Sequence, residues 1–148
     1  MYKIQEGYFI HFAKVNKVYR KICYQAVEEY HFTPNEIEVM MFLSNNPGMD
    51  SASDIAFYKN ISKGLVAKSV ESLYNKGFIK TEKDTKDRRL IHLILTKQSD
   101  DVVKRLQSCK REFIKQLQKG VTEEDLAAMD RATSVMNQNL DEMLKGVK

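Results

Sequence analysis

The stretch Ser62–Ile79, SKGLVAKSVESLYNKGFI, decides the fold. Its apolar residues Val66, Val70 and Leu73 recur at four and three, which draws one stripe along a helix. Ser62 stands where a hydroxyl can accept from an orphan backbone N–H of the first turn. Gly77 stands where a helix ends in a positive-φ residue, which glycine adopts without a Cβ clash. The face away from the stripe carries Lys63, Gly64, Ala67 and Lys68, small and cationic.

The flanks complete a recognisable unit. Upstream, Ser53–Tyr58 (SDIAFY) reads as a short helix with Ser53 as its cap, and Lys59, Asn60 and Ile61 form the turn. Two helices joined by about 3–4 residues have helix-turn-helix spacing. Downstream come two strand-like runs, Phe78–Lys83 and Leu90–Leu95, the second identified by its β-branched content. Between them lies the polar segment DTKDRR, with Arg88 and Arg89 at its far end. Ser53–Thr96 is therefore expected to be a helix-turn-helix followed by a two-stranded wing. A cationic helix beside an Arg-Arg hairpin tip suits a duplex: the helix reads the major groove and the tip reaches the negative potential of a minor groove.

Charge placement agrees. The 148-residue chain carries 24 Lys or Arg against 20 Asp or Glu, a formal net charge of +4. Residues 59–97 hold ten basic and four acidic side chains, a net of +6, so the remainder is at −2. A basic excess confined to the helix and wing is the footprint expected of a phosphate-binding face. A protein-docking winged helix, the alternative reading, should be less charged and more apolar at its centre.

The rest of the chain is helical by pattern. Gly7–Tyr30 reads as one long helix with an aromatic-rich stripe, facing either its own core or a partner chain. Phe32–Ser44 opens with Thr33 as cap, Pro34 at the first helical position and Glu36 three after the cap, a capping box. Phe32 and Ile37 are placed for a hydrophobic staple, and the core stripe is expected through Ile37, Met40, Met41 and Ser44, with Leu43 beside it. Asn45-Asn46-Pro47-Gly48 turns the chain, and Met49–Ala52 is expected to add a short strand to the wing. Thr96 is placed to cap a helix to about Lys119, which Gly120 breaks. Thr122, with Asp125 in the capping-box position, opens a last helix to about Leu144. Leu126, Met129, Thr133, Met136, Leu140 and Met143 lie on one of its faces. Two long amphipathic helices beyond a complete small domain call for burial against each other, the first helix and a second copy of the chain. The expected architecture is mainly α (α+β), a single winged helix-turn-helix with long flanking dimerisation helices. Residues 1–32 and 97–148 are the flanks and 33–96 the DNA-binding region.

With these elements in place, the chain resembles the MarR family (multiple antibiotic resistance regulators), bacterial winged-helix transcription factors, over nearly its whole length. FTPNEIEVMMFL is similar to that family's second helix. SASDIAFYKNISKGLVAKSVESLYNKGFIK is similar to its helix-turn-helix, including Leu73 and Gly77. DTKDRRLIHLILT is similar to its wing, with the acidic-x-x-acidic-Arg-Arg tip and the closing Leu95-Thr96. The resemblance implies a homodimer held by the first and last two helices and bound to a pseudo-palindrome on double-stranded DNA. It implies that the helix from Ser62 enters the major groove, with Ser62, Lys63, Gly64, Ala67 and Lys68 at the duplex. It further implies that Arg89 inserts in the minor groove, Asp87 holds its guanidinium and Arg88 contacts phosphate. A carboxylate beside an arginine fixes a flexible fork in one pose and lowers the ordering cost of binding. The family also implies a pocket for a small aromatic or phenolic ligand between the dimer helices and the winged domain, with Phe12, Tyr19 and Met40 as candidates here. The implied role is a repressor that occludes a promoter and is released by such a ligand.

Two positions depart from the family pattern. Gly64 stands where many relatives carry a hydroxyl residue, and Ser69 where an apolar one is common. The base sequence read therefore does not transfer from a relative. Cys23 lies near the end of the first helix rather than its start, so the oxidant-sensing role of some relatives does not transfer either. Cys23 and Cys109 stand far apart and outside any CxxC, and are read as core residues. His11, His31 and His92 are scattered, with no partner at ligand spacing. No Ser/His/Asp arrangement or phosphate loop is present, so no enzyme, metal or cofactor is expected. No apolar run reaches membrane-span length and the start lacks a signal-peptide core, so the expected location is the cytoplasm.

Overall fold

The computed structural model describes residues 4–147, with side chains from Gly7 onward. Helix α1 (Ile4–Ala26) leads through a 3-10 turn (Glu28–Tyr30) to α2 (Pro34–Asn45), α3 (Ala52–Lys59) and α4 (Lys63–Asn75). Strands β1 (Ile79–Lys83) and β2 (Ile91–Leu95) follow. A second 3-10 turn (Lys97–Ser99) then leads to α5 (Asp100–Leu117) and α6 (Glu123–Leu144). The winged-helix expectation holds. The first helix ends earlier than its pattern suggested, because the chain leaves α geometry at Val27 and His31 turns it at a φ of 57°.

Helix α2 is the centre of the core. Its capping box forms as expected: Thr33 Oγ1 accepts from the Glu36 N–H at 3.1 Å, and Glu36 Oε1 accepts from the Thr33 N–H at 2.9 Å. The single stripe expected of it does not hold. Every residue from Glu36 to Phe42 is buried, while Leu43 and Ser44 are only half-buried. The cause is that α1, α3, α4 and β2 all pack against α2. Phe32 stacks on Tyr30 and meets Phe78 edge-on, closing the core at the helix start.

Two glutamates on α2 are buried, and each joins it to other helices. Glu36, 2 % exposed, also accepts on Oε2 from Ser72 Oγ on α4 at 2.9 Å and from Lys76 Nζ at the C-cap of α4 at 3.0 Å. Burial pushes its carboxyl up, but the Thr33 N–H, Lys76 and Ser72 bonds outweigh it and hold the group below the usual carboxylate range. Glu38, 4 % exposed, takes Arg20 Nε at 2.7 Å and the Tyr24 hydroxyl at 3.0 Å from α1. Its other oxygen lies 3.0 Å from Lys59 Nζ at the end of α3.

Helix α5 is tied to the same core. Gln107 Nε2 donates to the Ser44 hydroxyl and to Asn45 Oδ1 at the end of α2. Arg105 pairs with Glu29 and with Asp101 and lies over the Tyr30 ring, whose hydroxyl donates to Asp101. Thr96 does not cap α5. Its hydroxyl donates to the Gly77 carbonyl at 2.6 Å, holding the end of β2 to the end of α4, and the chain makes a 3-10 turn before α5 begins.

The chain divides into two compact units, one up to Phe113 and one from Ile114 onward. The second consists of the end of α5, the break at Gly120 (φ 83°) and α6. Thr122 Oγ1 accepts from the Asp125 N–H at 3.1 Å as expected. Along α6, Met129, Leu140 and Met143 are exposed and Leu126 is half-buried. In the first unit, Phe9, Ile10 and Phe12 of α1 are likewise exposed, whereas Cys23 and Val27 are fully buried. Burial pushes the Cys23 thiol up to about 11 and raises that of Cys109, so both stay protonated and unreactive at neutral pH.

The Glu36 arrangement predicts an order of stabilities in urea titration. Thr33→Ala loses one cap bond, about 1 kcal/mol. Glu36→Ala loses the reciprocal cap bond and strands Ser72 and Lys76, about 2–3 kcal/mol once the half-exposed Lys76 is discounted for solvent screening. Equal losses in the two variants would show that the tie between α2 and α4 adds nothing to the cap.

Candidate nucleic-acid interface

Helices α3 and α4 are set by their ends. The cap of α3 is Ser51, not Ser53 as expected. Ser51 Oγ accepts from the Asp54 N–H at 3.1 Å, and Asp54 returns the bond as the third residue of a full capping box. That start uses up Met49–Ala52, so the expected third strand does not form. The stretch gives the wing one backbone bond, from the Leu93 N–H to the Asp50 carbonyl at 2.8 Å. Helix α3 ends at Asn60 in the left-handed region, φ 57°, which asparagine tolerates. The turn hands over to Ser62, whose Oγ accepts from the Leu65 N–H at 3.2 Å.

Helix α4 ends in a Schellman motif. The Phe78 N–H bonds to the Leu73 carbonyl at 2.9 Å and the Gly77 N–H to that of Tyr74 at 3.0 Å, with Gly77 at φ 87°. Val66, Ser69 and Leu73 are buried and Val70 half-buried. The departure at Ser69 is accommodated because its buried hydroxyl donates back to the Leu65 carbonyl at 2.9 Å.

The opposite face of α4 is open. Ser62, Lys63, Gly64, Ala67 and Lys68 are all exposed. A Cβ placed on Gly64 would meet nothing within 4 Å, so no internal packing requires a glycine there. Glu71 lies exposed on the same face, so the face is less uniformly cationic than its lysines suggest. Two lysines counted in the basic excess turn inward instead: Lys59 to Glu38 and Lys76 to Glu36. The outward charge of the segment is therefore carried by fewer residues than the raw count suggests.

The wing is an antiparallel pair in the register Ile79 to Leu95, Thr81 to Leu93 and Lys83 to Ile91. Its tip is built by aspartates. Asp84 Oδ2 accepts from the Lys86 and Asp87 N–H groups at 2.9 and 2.8 Å, the Asx arrangement that closes a turn. Asp87 Oδ1 accepts from the Arg89 N–H at 3.0 Å and lies 3.7 Å from Arg89 Nε. Asp87 thus anchors the Arg89 backbone firmly and its guanidinium loosely, leaving that side chain 95 % exposed. Arg88 is exposed beside it.

His92 had no partner visible in the sequence and has two in the fold. Its Nδ1 lies 2.7 Å from Asp50 Oδ1 and its Nε2 lies 2.8 Å from Asp84 Oδ1. Hydrogen bonds to these carboxylates, Asp50 first, raise the imidazole to about 9. The same contact with His92, with the turn N–H groups, holds Asp84 down at about 2. Asp50 stands 42 residues from His92, so no local pattern could pair them.

The proposed ligand residues are not gathered at one cavity. Met40 is fully buried in the core. Tyr19 is half-buried against Phe113, accepts from Asn45 Nδ2 at 3.3 Å and is pushed up to about 12, chiefly by burial. Phe12 is exposed, edge-on to Tyr8. A crevice of about 480 Å³ lies elsewhere, between Ala67, Val70 and Tyr74 of α4 and Arg89, Ile91 and Leu93 of the wing.

Residues 32–99 match the family profile of the winged helix DNA-binding domain. Among solved structures, a MarR transcriptional regulator from Methanosarcina mazei Go1 is similar, with 19 % identity and a TM-score of 0.68 over 91 % of this chain and 98 % of that one. A MarR protein from Peptoclostridium difficile is similar at 16 % identity and a TM-score of 0.74, over 100 % of this chain and 96 % of that one. A mutant of MepR from S. aureus, bound to an oligodeoxyribonucleotide, has 20 % identity and a TM-score of 0.54 over 95 % of this chain and 98 % of that one. No curated protein sequence matches the chain. Residues 32–99 thus match the winged helix DNA-binding domain, and the chain as a whole has the fold seen in solved MarR-type transcriptional regulators.

Proposed function

We propose that the protein is a sequence-specific transcriptional repressor that binds a pseudo-palindromic operator as a homodimer. The observation that carries the reading is the pairing of an open helix face, Lys63, Gly64, Ala67 and Lys68, with a fully projecting Arg89 on the wing. Helix α4 lies in the major groove, where the missing side chain at Gly64 lets the backbone come close. Lys63 and Lys68 meet phosphates from either side of that approach. Arg89 enters the flanking minor groove, and Arg88 contacts the backbone beside it. Asp87 sets where Arg89 starts from, through its backbone N–H, and leaves the guanidinium free to turn to the bases.

Dimerisation is supported by apolar side chains that the single chain leaves in solvent: Phe9 and Ile10 on α1, and Met129, Leu140 and Met143 on α6. Exposed large apolar side chains recurring along a helix are what an interface with a second chain would cover. A two-fold dimer places its α4 helices about one helical turn apart, roughly 10–10.5 bp centre to centre. A small aromatic or phenolic ligand that favours another spacing of the two winged domains would release the operator.

Three results test this. Arg89→Ala weakens binding to a duplex selected by the protein from a random-sequence pool by about 1–3 kcal/mol. Lys68→Ala weakens binding to all duplexes alike and reduces the slope of log affinity against log salt by about one. Leu140→Glu converts a dimer to a monomer in sedimentation. Salt-insensitive binding without selectivity would point instead to a winged helix used for protein docking, and a monomeric wild type would remove the dimer.

A further inference from the structure

A continuous run of side-chain bonds joins the start of α3 to the wing tip. Asp50 precedes the Ser51 cap and meets His92 Nδ1 at 2.7 Å. His92 Nε2 meets Asp84 Oδ1 at 2.8 Å. The other oxygen of Asp84 holds the Lys86 and Asp87 N–H groups, and Asp87 holds the Arg89 N–H. The imidazole is the only member of this run that can change its bonding near physiological pH. A neutral ring has one N–H and one lone pair. It can donate to one aspartate, but then turns a lone pair toward the other carboxylate at under 3 Å. Only the imidazolium donates to both.

We propose that His92 is a positioning residue for DNA binding, an imidazolium strut that fixes the wing-tip arginines relative to helix α4 and sets an alkaline limit on operator affinity. The proposal rests on the DNA-binding reading above. Its physical core is that α3 and the wing share few other ties. The Leu93-to-Asp50 backbone bond is one, and its acceptor is the carbonyl of the same residue that His92 grips. Losing the Nδ1 bond releases the ring, and the wing with it, from Asp50, while losing the Nε2 bond removes one of the bonds that hold Asp84, whose other oxygen closes the turn carrying Arg88 and Arg89.

The charged groups around the ring support one direction of response. Glu82 is the cross-strand partner of His92 and adds a third carboxylate on the same sheet face, while Lys80 lies diagonally across and opposes it. On α3, Asp54 is engaged by the Ser51 N–H. On α2, which also packs on β2, Glu36 and Glu38 are held by Lys76, Arg20 and Lys59. Acids outnumber bases at the ring, and its ionisation is raised to about 9. A raised histidine contributes in full below its unfolded value near 6.5 and loses that contribution as pH rises through its folded value. Asp84 works in the opposite sense, losing its contribution only as pH falls toward about 2. The strut is therefore complete at neutral pH and fails on the alkaline side.

Two measurements test it, one of them without DNA. In the free protein, NMR titration of the His92 ring should give a midpoint well above that of an ordinary histidine, and Asp50→Asn and Asp84→Asn should each lower it. With a duplex selected from a random-sequence pool, wild-type affinity between pH 7.5 and 9.5 should fall by about tenfold more than that of His92→Gln, the scale of one arginine contact. The comparison cancels losses from other groups, and Arg89→Ala should remove the excess. Asp50→Asn keeps a bond acceptor and serves if His92→Gln fails to fold: its affinity loss should begin at lower pH. An ordinary midpoint, or parallel pH profiles in wild type and variants, overturns the strut. Failure to bind any duplex would overturn the DNA-binding reading and the positioning role, while the ring titration still decides whether the imidazolium bridge exists.

Discussion

The structure depends on two carboxylates that α2 carries into the core. Glu36 and Glu38 stand two positions apart, so they leave a helix on nearly opposite sides. One faces α4, and the other faces α1 and the end of α3. An unpaired charge in either place would be prohibitive, and each is made tolerable by a cation reached from a neighbouring helix. The consequence is geometric. Apolar side chains would hold these helices together at nearly any register, whereas a hydrogen-bonded carboxylate accepts few. Lys76 caps the C-terminal end of α4 and Lys59 stands in the last turn of α3, so both helices of the DNA-binding pair have their C-terminal ends referred to the same central helix. The N-terminal end of α4, which carries the open cationic face, is left free of such ties.

That division explains why one helix can be both rigid and exposed. Helix α4 buries Val66, Ser69 and Leu73, closes with the Gly77 motif and is pinned through Ser72 and Lys76. Nothing in its packing involves Gly64, where even an added Cβ would stand in open space. The small residue at Gly64 is therefore not demanded by the packing of the helix. The wing follows a similar plan. Its base is stitched by β pairing and by the Thr96 hydroxyl, and its tip by three aspartates and one histidine.

Local chemistry was legible in the chain and distant pairing was not. The ends of α4, the Thr33 box, the two wing strands and the break at Gly120 all follow from residues within a few positions of one another. The misreadings have the same origin. Ser51 and Ser53 both stand before the α3 pattern, and the deciding feature is which one has an acid three residues on; Asp54 answers Ser51. Thr96 stands where a cap belongs, but a carbonyl at Gly77, 19 residues back, claims its hydroxyl. Counting charges could not reveal that Lys59 and Lys76 face inward, because their partners sit on α2. His92 was unreadable for the same reason: the fold alone brings Asp50 to it.

The wing also bears on how copies of the protein avoid each other. β1 pairs with β2 on one side only, and its other edge carries backbone donors and acceptors with no strand beside them. An open edge of this kind invites a strand from another molecule, the first step of sheet-like aggregation. The edge strand reads Ile-Lys-Thr-Glu-Lys, five residues with charge at Lys80, Glu82 and Lys83, and only Ile79 is buried. A second copy of that strand laid alongside in parallel register would set like charges against each other, and in any register it would gain almost no apolar burial. The hairpin can thus project far enough to meet a duplex without becoming a template for its own kind.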